Sequence, residues 1–194
     1  MKNFERELPE GYEEAYHINA ANKKTGLIFN GISLVVIAIF IAVALLTAKS
    51  LEFVYLEVMT GLIIFIVSLF LYIILHELVH GIAYKLLTKE KLTFGITWSA
   101  AFCGVPHIYV YRKPAIIALL APVCVFTVVF VTLSIVFYNI SNILYLLFMF
   151  LQGFNLGGAS GDLFMFGIFL FKFKDKTTLM RDTGPEQYLY VKKE

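Results

Sequence analysis

Cysteine and charged residues are both scarce in this chain of 194 residues. The two cysteines, Cys103 and Cys124, lie in or near apolar segments without paired spacing, which excludes a disulfide framework and a cysteine-rich structural zinc site. Charged residues make up 15% of the chain and hydrophobic residues 59%, more than the core of one soluble domain needs. The formal net charge is only +2 and predicts no nucleic-acid partner. The composition indicates a protein of the lipid bilayer.

Four apolar segments are each long enough to cross a bilayer core of about 30 Å. They run from about Thr25 to Ala48, Val58 to Leu87, Ala115 to Tyr138 and Ile143 to Phe171. The first is longer than the core of a signal peptide, so we interpret it as an uncleaved span. The sequence therefore predicts an all-α membrane protein with four transmembrane helices. A polar segment at 1–24, one membrane domain at 25–171 and a basic tail at 172–194 complete the predicted organisation.

Lysine and arginine alternate in number along these segments. Four precede the first segment, one follows it, five lie in the stretch from Lys85 to Lys113, none separates the last two segments, and six follow the fourth. Basic residues favour the cytoplasmic side of a membrane. The pattern predicts a multi-pass protein of the cell membrane with both termini in the cytoplasm.

The second segment ends in an HExxH motif, His76-Glu77-Leu78-Val79-His80. Residues four apart on a helix point in nearly the same direction, so the two imidazoles can bind one metal ion. A glutamate beside the first histidine suits a general base near the water of such a metal. Ionisable groups within a bilayer cost at least ~2.5 kcal/mol per carboxylate, which favours a functional site over a chance match. We therefore predict a Zn2+ site.

A catalytic zinc ion takes three protein ligands and leaves one position open. A metzincin would supply the third from a histidine at position 86, where Leu86 stands. Within the four segments the acidic residues are Glu77 and Asp162, which lie 19 residues after Val58 and Ile143, respectively. Both are therefore about 28 Å from the outer surface if the segments are helices. Asp162 is the predicted third ligand.

Two alternatives to this assignment of Asp162 remain open. Ser160-Gly161-Asp162 also suits a turn in which the aspartate caps a break in the helix. His107, four residues after Cys103, is another source of a ligand.

HELVHG at the end of a span, followed by ASGDL in a glycine-rich later span, resembles the putative zincin peptidase family of small bacterial membrane proteins. That family is more distantly similar to the site-2 intramembrane metalloproteases. The resemblance covers about Thr60 to Lys172. It implies a zinc metallopeptidase whose site residues are His76, His80 and Asp162 as zinc ligands and Glu77 as catalytic base. It further implies that Asn155 contacts the substrate or its oxyanion.

Residues 92–111 are uncharged but differ from the predicted spans. Leu92 to Trp98 alternates weakly, and Ile108 to Tyr111 is β-prone, with Gly104 and Pro106 between them. We predict a short hairpin or re-entrant segment between the second and third spans. A strand edge in this segment could bind an extended substrate.

Two classes of function fit these observations. The first is a zinc-dependent membrane metalloprotease that hydrolyses a membrane peptide or a transmembrane segment at or within the cytoplasmic side of the membrane. The alternative is a non-catalytic metal-binding membrane protein that acts as a transporter-associated or immunity factor. Glu77 favours the protease, because a site that only binds metal needs no base beside its histidines.

Overall fold

The computed structural model describes residues 2–52, 54–98 and 100–193. Within these ranges the helices are α1 (Lys23–Thr47), α2 (Tyr55–Thr88), α3 (Arg112–Phe137), α4 (Asn142–Gly158) and α5 (Ser160–Phe171). The strands are β1 (Phe4–Glu5), β2 (Tyr12–Asn19), β3 (Thr93–Ile96), β4 (Ala101–Gly104), β5 (Tyr109–Tyr111), β6 (Leu179–Asp182) and β7 (Glu186–Lys192).

The prediction of an all-α fold is wrong, because the two polar end segments form β-strands. Five strands make one antiparallel sheet in the order β1-β5-β6-β7-β2. Their inward side chains supply an apolar face: Val110, Met180 and Leu189 are fully buried in one core cluster. The other two strands, β3 and β4, form a separate antiparallel hairpin within residues 92–111. Strand β5 also lies within residues 92–111, but it pairs in the five-stranded sheet.

Three helices, α1, α2 and α3, are long and apolar enough to cross a membrane. The consecutive helices α4 and α5 pass the same test as a bent pair, which gives up to four spans if the pair counts as one. The predicted sidedness of the termini and the predicted domain boundaries stay predictions.

Backbone contacts divide the chain into two compact units. The first unit contains residues 1–28, 77–122 and 161–194, and therefore both sheets, the end of α2, the start of α3 and α5. Its core joins the five-stranded sheet to these helices: Tyr84 of α2, Ala115 of α3 and Phe169 of α5 belong to the same buried cluster as Met180. The Arg112 guanidinium donates hydrogen bonds to carbonyl oxygens near the end of α5 and so satisfies groups that the helix leaves open.

The second unit contains residues 29–76 and 123–160. Here two glycines of α4 let α1 approach closely. A Cβ atom at Gly153 would lie 2.8 Å from the Cβ atom of Phe40, and one at Gly157 would lie 2.9 Å from the backbone oxygen of Ser33. The Ser33 hydroxyl donates a hydrogen bond of 2.6 Å to the carbonyl oxygen of Gly157, close to the end of α4. Small residues four positions apart are a common basis for close packing of membrane helices.

Candidate metal centre

Helix α2 buries a stripe of four polar aromatic side chains with a spacing of four residues. Tyr72, His76, His80 and Tyr84 are 6%, 7%, 6% and 1% exposed, whereas most of the large apolar side chains of the helix are exposed. Residues at this spacing lie one above another on one helix face. The HExxH histidines are therefore the middle of one buried stripe on an unbroken helix.

His80 presents its Nε2 atom to Asp162. The Nδ1 atom of His80 lies 2.9 Å from the carbonyl oxygen of Ala118. Because a carbonyl oxygen only accepts hydrogen bonds, Nδ1 carries a proton, and Nε2 is the nitrogen left to bind a metal. That Nε2 atom lies 3.3 Å from Oδ2 of Asp162, which belongs to the first turn of α5. A negative charge in the first turn of a helix is favoured by the helix dipole.

His76 completes a set of three ligands. It directly precedes Glu77 on α2, and the ligand atoms of His76, His80 and Asp162 all lie within 4.8 Å of one another. Zinc bonds of 2.0–2.2 Å with tetrahedral angles separate two ligand atoms by about 3.3–3.5 Å, which matches the distance between His80 and Asp162. Two imidazoles and one carboxylate are a ligand set that catalytic zinc accepts. The residues present therefore fit a zinc ion.

Glu77 is half-buried beside these ligands. Its carboxylate is close enough to β4 to affect the Cys103 thiol on that strand. Burial, together with the smaller effects of the Asp182 and Glu77 carboxylates, raises the pKa of the Cys103 thiol to about 12. Cys103 is therefore a neutral, buried thiol near the HExxH motif. A Cβ atom at Gly81 would lie 2.8 Å from Cζ of Phe94, so β3 packs against α2 directly after the motif. The glycine that follows HExxH makes room for this hairpin.

The alternative ligands that the sequence suggested do not join this group. His107 is exposed, and Cys103 is buried on β4. Within the part of the chain that the structure describes, His76, His80 and Asp162 are the one group of three such side chains close enough to share an ion.

Asn155 lies in the interior of the second unit and is 0% exposed. Its Nδ2 atom donates hydrogen bonds to the carbonyl oxygen of Val123 at 3.3 Å and to Oγ1 of Thr127 at 3.0 Å. Its Oδ1 atom accepts a hydrogen bond of 3.1 Å from the Tyr72 hydroxyl. The amide is therefore engaged with the protein's own groups. A contact between Asn155 and substrate stays a prediction.

Three residues near the motif were missing from the sequence analysis: Tyr72, Tyr84 and Asp182. The Tyr84 hydroxyl donates a 2.6 Å hydrogen bond to Oδ2 of Asp182, whose Oδ1 accepts one of 2.9 Å from the backbone N–H of Gly184. This bond ties α2, one turn after His80, to the end of β6. The spacing of the tyrosines, four residues before His76 and four after His80, is a signal that could have revealed them.

The chain is similar to a known protein family. The family model described as "Putative zincin peptidase" matches residues 69–177, which include the HExxH motif, Asn155 and Asp162. No curated protein and no solved structure matches the chain.

Proposed function

Because the chain belongs to the putative zincin peptidase family, we propose that it is a zinc-dependent metallopeptidase embedded in the membrane, which hydrolyses peptide bonds at or within the cytoplasmic side of the bilayer. The observation that carries this proposal is the approach of Nε2 of His80 to Oδ2 of Asp162, 3.3 Å apart, beside a half-buried Glu77. A metal-binding site with a base next to it is the arrangement that peptide hydrolysis requires.

In this proposal His76, His80 and Asp162 hold the zinc ion. Zinc, when bound, supplies a Lewis acid that lowers the pKa of water and polarises a carbonyl group. Glu77 accepts a proton from the water molecule that attacks the peptide carbonyl carbon. It then donates this proton to the amine nitrogen as the carbon–nitrogen bond breaks. The proton taken from water therefore ends on the amine product, and the Glu77 carboxylate is unprotonated again at the end of the cycle.

The position of the motif supports cleavage near one membrane surface. Helix α2 has 34 residues, or about 51 Å, which exceeds the ~30 Å core of a bilayer. His76 lies about 32 Å from the start of that helix. The basic residues that follow α2 favour the cytoplasmic side for this end.

The proposed substrate is a membrane peptide or a transmembrane segment. The peptide groups of an intact helix are hydrogen-bonded to one another, so a substrate helix must unwind before it can be cut. The β3–β4 hairpin supports this step, because Phe94 of β3 packs beside Gly81 of the motif helix. Strand β3 pairs with β4 along one edge. Within the described residues no strand pairs with its other edge, which therefore suits an added substrate strand.

The test compares wild type with Glu77→Gln in liposomes that contain a panel of membrane peptides. We expect wild type to cleave at least one peptide and Glu77→Gln to be slower by about 10²–10⁴, because only the base is lost. Zinc content should be equal in both proteins. Glu57→Gln, in the first turn of the same helix, is the matched control and should cleave like wild type.

Equal cleavage by wild type and Glu77→Gln, measured by mass spectrometry of the products, would refute a mechanism based on Glu77. Zinc binding by both proteins without any cleavage would instead favour the non-catalytic metal-binding protein.

A further inference from the structure

The side-chain amide of Asn155 has one possible orientation. The atom that faces the carbonyl oxygen of Val123 must be a donor, because two acceptors at 3.3 Å would repel each other. This fixes Nδ2 toward Val123 and Thr127 and therefore Oδ1 toward Tyr72. A flip of this fully buried amide would exchange Oδ1 and Nδ2 and would place Oδ1 against the carbonyl oxygen of Val123, so the hydrogen bond to that oxygen would be lost.

The orientation of Asn155 determines the role of the Tyr72 hydroxyl. Oδ1 of Asn155 only accepts, so the hydroxyl uses its single proton in the 3.1 Å bond to that atom. The same hydroxyl oxygen lies 2.9 Å from Nδ1 of His76. Because the hydroxyl proton is already used, Nδ1 of His76 must be the donor in this second bond. His76 then carries its proton on Nδ1 and its lone pair on Nε2.

Aromatic packing holds the same two rings. The Tyr72 ring meets the Phe126 ring edge-on at 5.1 Å and the Phe130 ring at 5.6 Å. The His76 ring is nearly parallel to that of Phe126, with centroids 6.5 Å apart. The imidazole is therefore restrained both in orientation and in tautomer.

We propose that Tyr72 and Asn155 are positioning residues for the metal site: Asn155 orients the Tyr72 hydroxyl, and Tyr72 fixes His76 as a ligand through Nε2. The inference rests on the proposed zinc site and assigns Asn155 a role inside the protein. Hydrogen-bond partners of metal-binding histidines fix the tautomer and ring orientation, and their loss typically lowers metal affinity 10–100-fold. His80 obtains the same restraint from the backbone oxygen of Ala118, which no side-chain substitution removes.

The test measures zinc affinity instead of proteolysis. Zn2+ alone is titrated into metal-free protein in detergent micelles, in competition with a chromophoric chelator. Tyr72→Phe keeps the ring and its packing but removes the acceptor for His76, so we expect its zinc dissociation constant to rise about 10–100-fold. Tyr145→Phe is the matched control: Tyr145 is also 6% exposed, and its hydroxyl is hydrogen-bonded to Thr47, away from the motif. It should bind zinc like wild type.

A double-mutant cycle separates positioning from a general effect on the fold. Asn155→Leu should weaken zinc binding in the wild-type background but add little in the Tyr72→Phe background, because Asn155 acts through Tyr72. Full additivity of the two substitutions, or a Tyr72→Phe affinity within twofold of wild type, would overturn the inference while leaving the zinc site in place. Absence of zinc binding by wild type would remove the proposed function and this inference together.

Discussion

Nε2 of His80 and Oδ2 of Asp162 lie 3.3 Å apart, with the histidine on α2 and the aspartate in the first turn of α5. Their side chains are only 8% and 19% exposed. A carboxylate withdrawn from water needs a positive partner, either a protonated imidazole or a metal ion. Nδ1 of His80 is bonded to Ala118, so Nε2 is the nitrogen that faces Asp162, and a metal ion between the two facing atoms would supply the positive charge.

The first prediction concerns zinc stoichiometry. Purified wild type should bind one zinc ion per chain, and His80→Ala or Asp162→Ala should lose stoichiometric zinc, because each removes one of three ligands. Metal analysis after gel filtration measures the ratio. His107→Ala removes an exposed histidine and should retain the metal. Full zinc content in Asp162→Ala would exclude this aspartate as the third ligand.

The grouping of His76, His80 and Asp162 could be predicted, because helical spacing and depth in an apolar segment can both be read from the sequence. The separation of His76 from His80 sets two ligands on one helix face, and equal depth in two apolar segments points to Asp162. The link from His76 through Tyr72 to Asn155 could be anticipated only in part. The spacing of Tyr72 and His76 is visible in the sequence, but which face of α4 meets α2 depends on packing that no spacing encodes.

The five-stranded sheet could not be predicted in the same way. Its strands come from three distant segments: Phe4 pairs with Val110, and Tyr111 pairs with Leu179. The strands have two to eight residues and only a few inward apolar side chains each, so their alternation is weak. Tertiary pairing, rather than local pattern, decides their structure.

The second prediction concerns the packing of α1 on α4. Gly157→Ala should destabilise the protein by about 1–3 kcal/mol, because its new Cβ would lie 2.9 Å from a backbone oxygen of Ser33. Gly158→Ala is the matched control, since a Cβ there has nothing within 4 Å. Both substitutions increase helix propensity by a similar amount. The difference in stability between the two variants therefore measures the effect of the contact with Ser33. Thermal unfolding in detergent should give a lower midpoint for Gly157→Ala, and equal midpoints would contradict the close packing.

The third prediction is a pH dependence that arises from Asp182. Burial raises the pKa of this carboxyl group from its ordinary 3.8 to about 6. The unfolded chain releases the proton near pH 4 and the folded chain only near pH 6, so raising the pH between these values favours unfolding. The contribution to stability lost over this window is about 3 kcal/mol. Asp182→Asn cannot titrate and should lack this loss.

Denaturation of wild type and Asp182→Asn at pH 4 to 7, with a chelator present to keep zinc out of the comparison, measures the difference. Asp175→Asn serves as control, because a backbone hydrogen bond from Thr177 lowers the pKa of Asp175 instead of raising it. A stability difference between wild type and Asp182→Asn that does not change with pH would contradict the assignment.

Hydrogen bonds within each unit bear on the predicted topology. In the second unit, Lys49 donates to the side chain of Asn139 and Asn142 donates to the carbonyl oxygen of Ser50. The two connections predicted to lie outside the cell are therefore adjacent. In the first unit, Arg6 forms an ion pair of 2.9 Å with Glu90. The N-terminal segment and the connection after α2, both predicted to be cytoplasmic, are adjacent in the same way.

The fourth prediction concerns sidedness. Single cysteines are introduced at Glu52, Asn142, Lys91 and Lys176 in a background in which the two native cysteines are replaced by serine. A membrane-impermeant thiol reagent added to intact cells should label the first two sites, because few basic residues surround them, and spare the last two. Permeabilised cells provide the control, in which Lys91 and Lys176 should become reactive. Labelling of the Lys176 site in intact cells would place the C-terminal strands outside and exclude a cytoplasmic C-terminus.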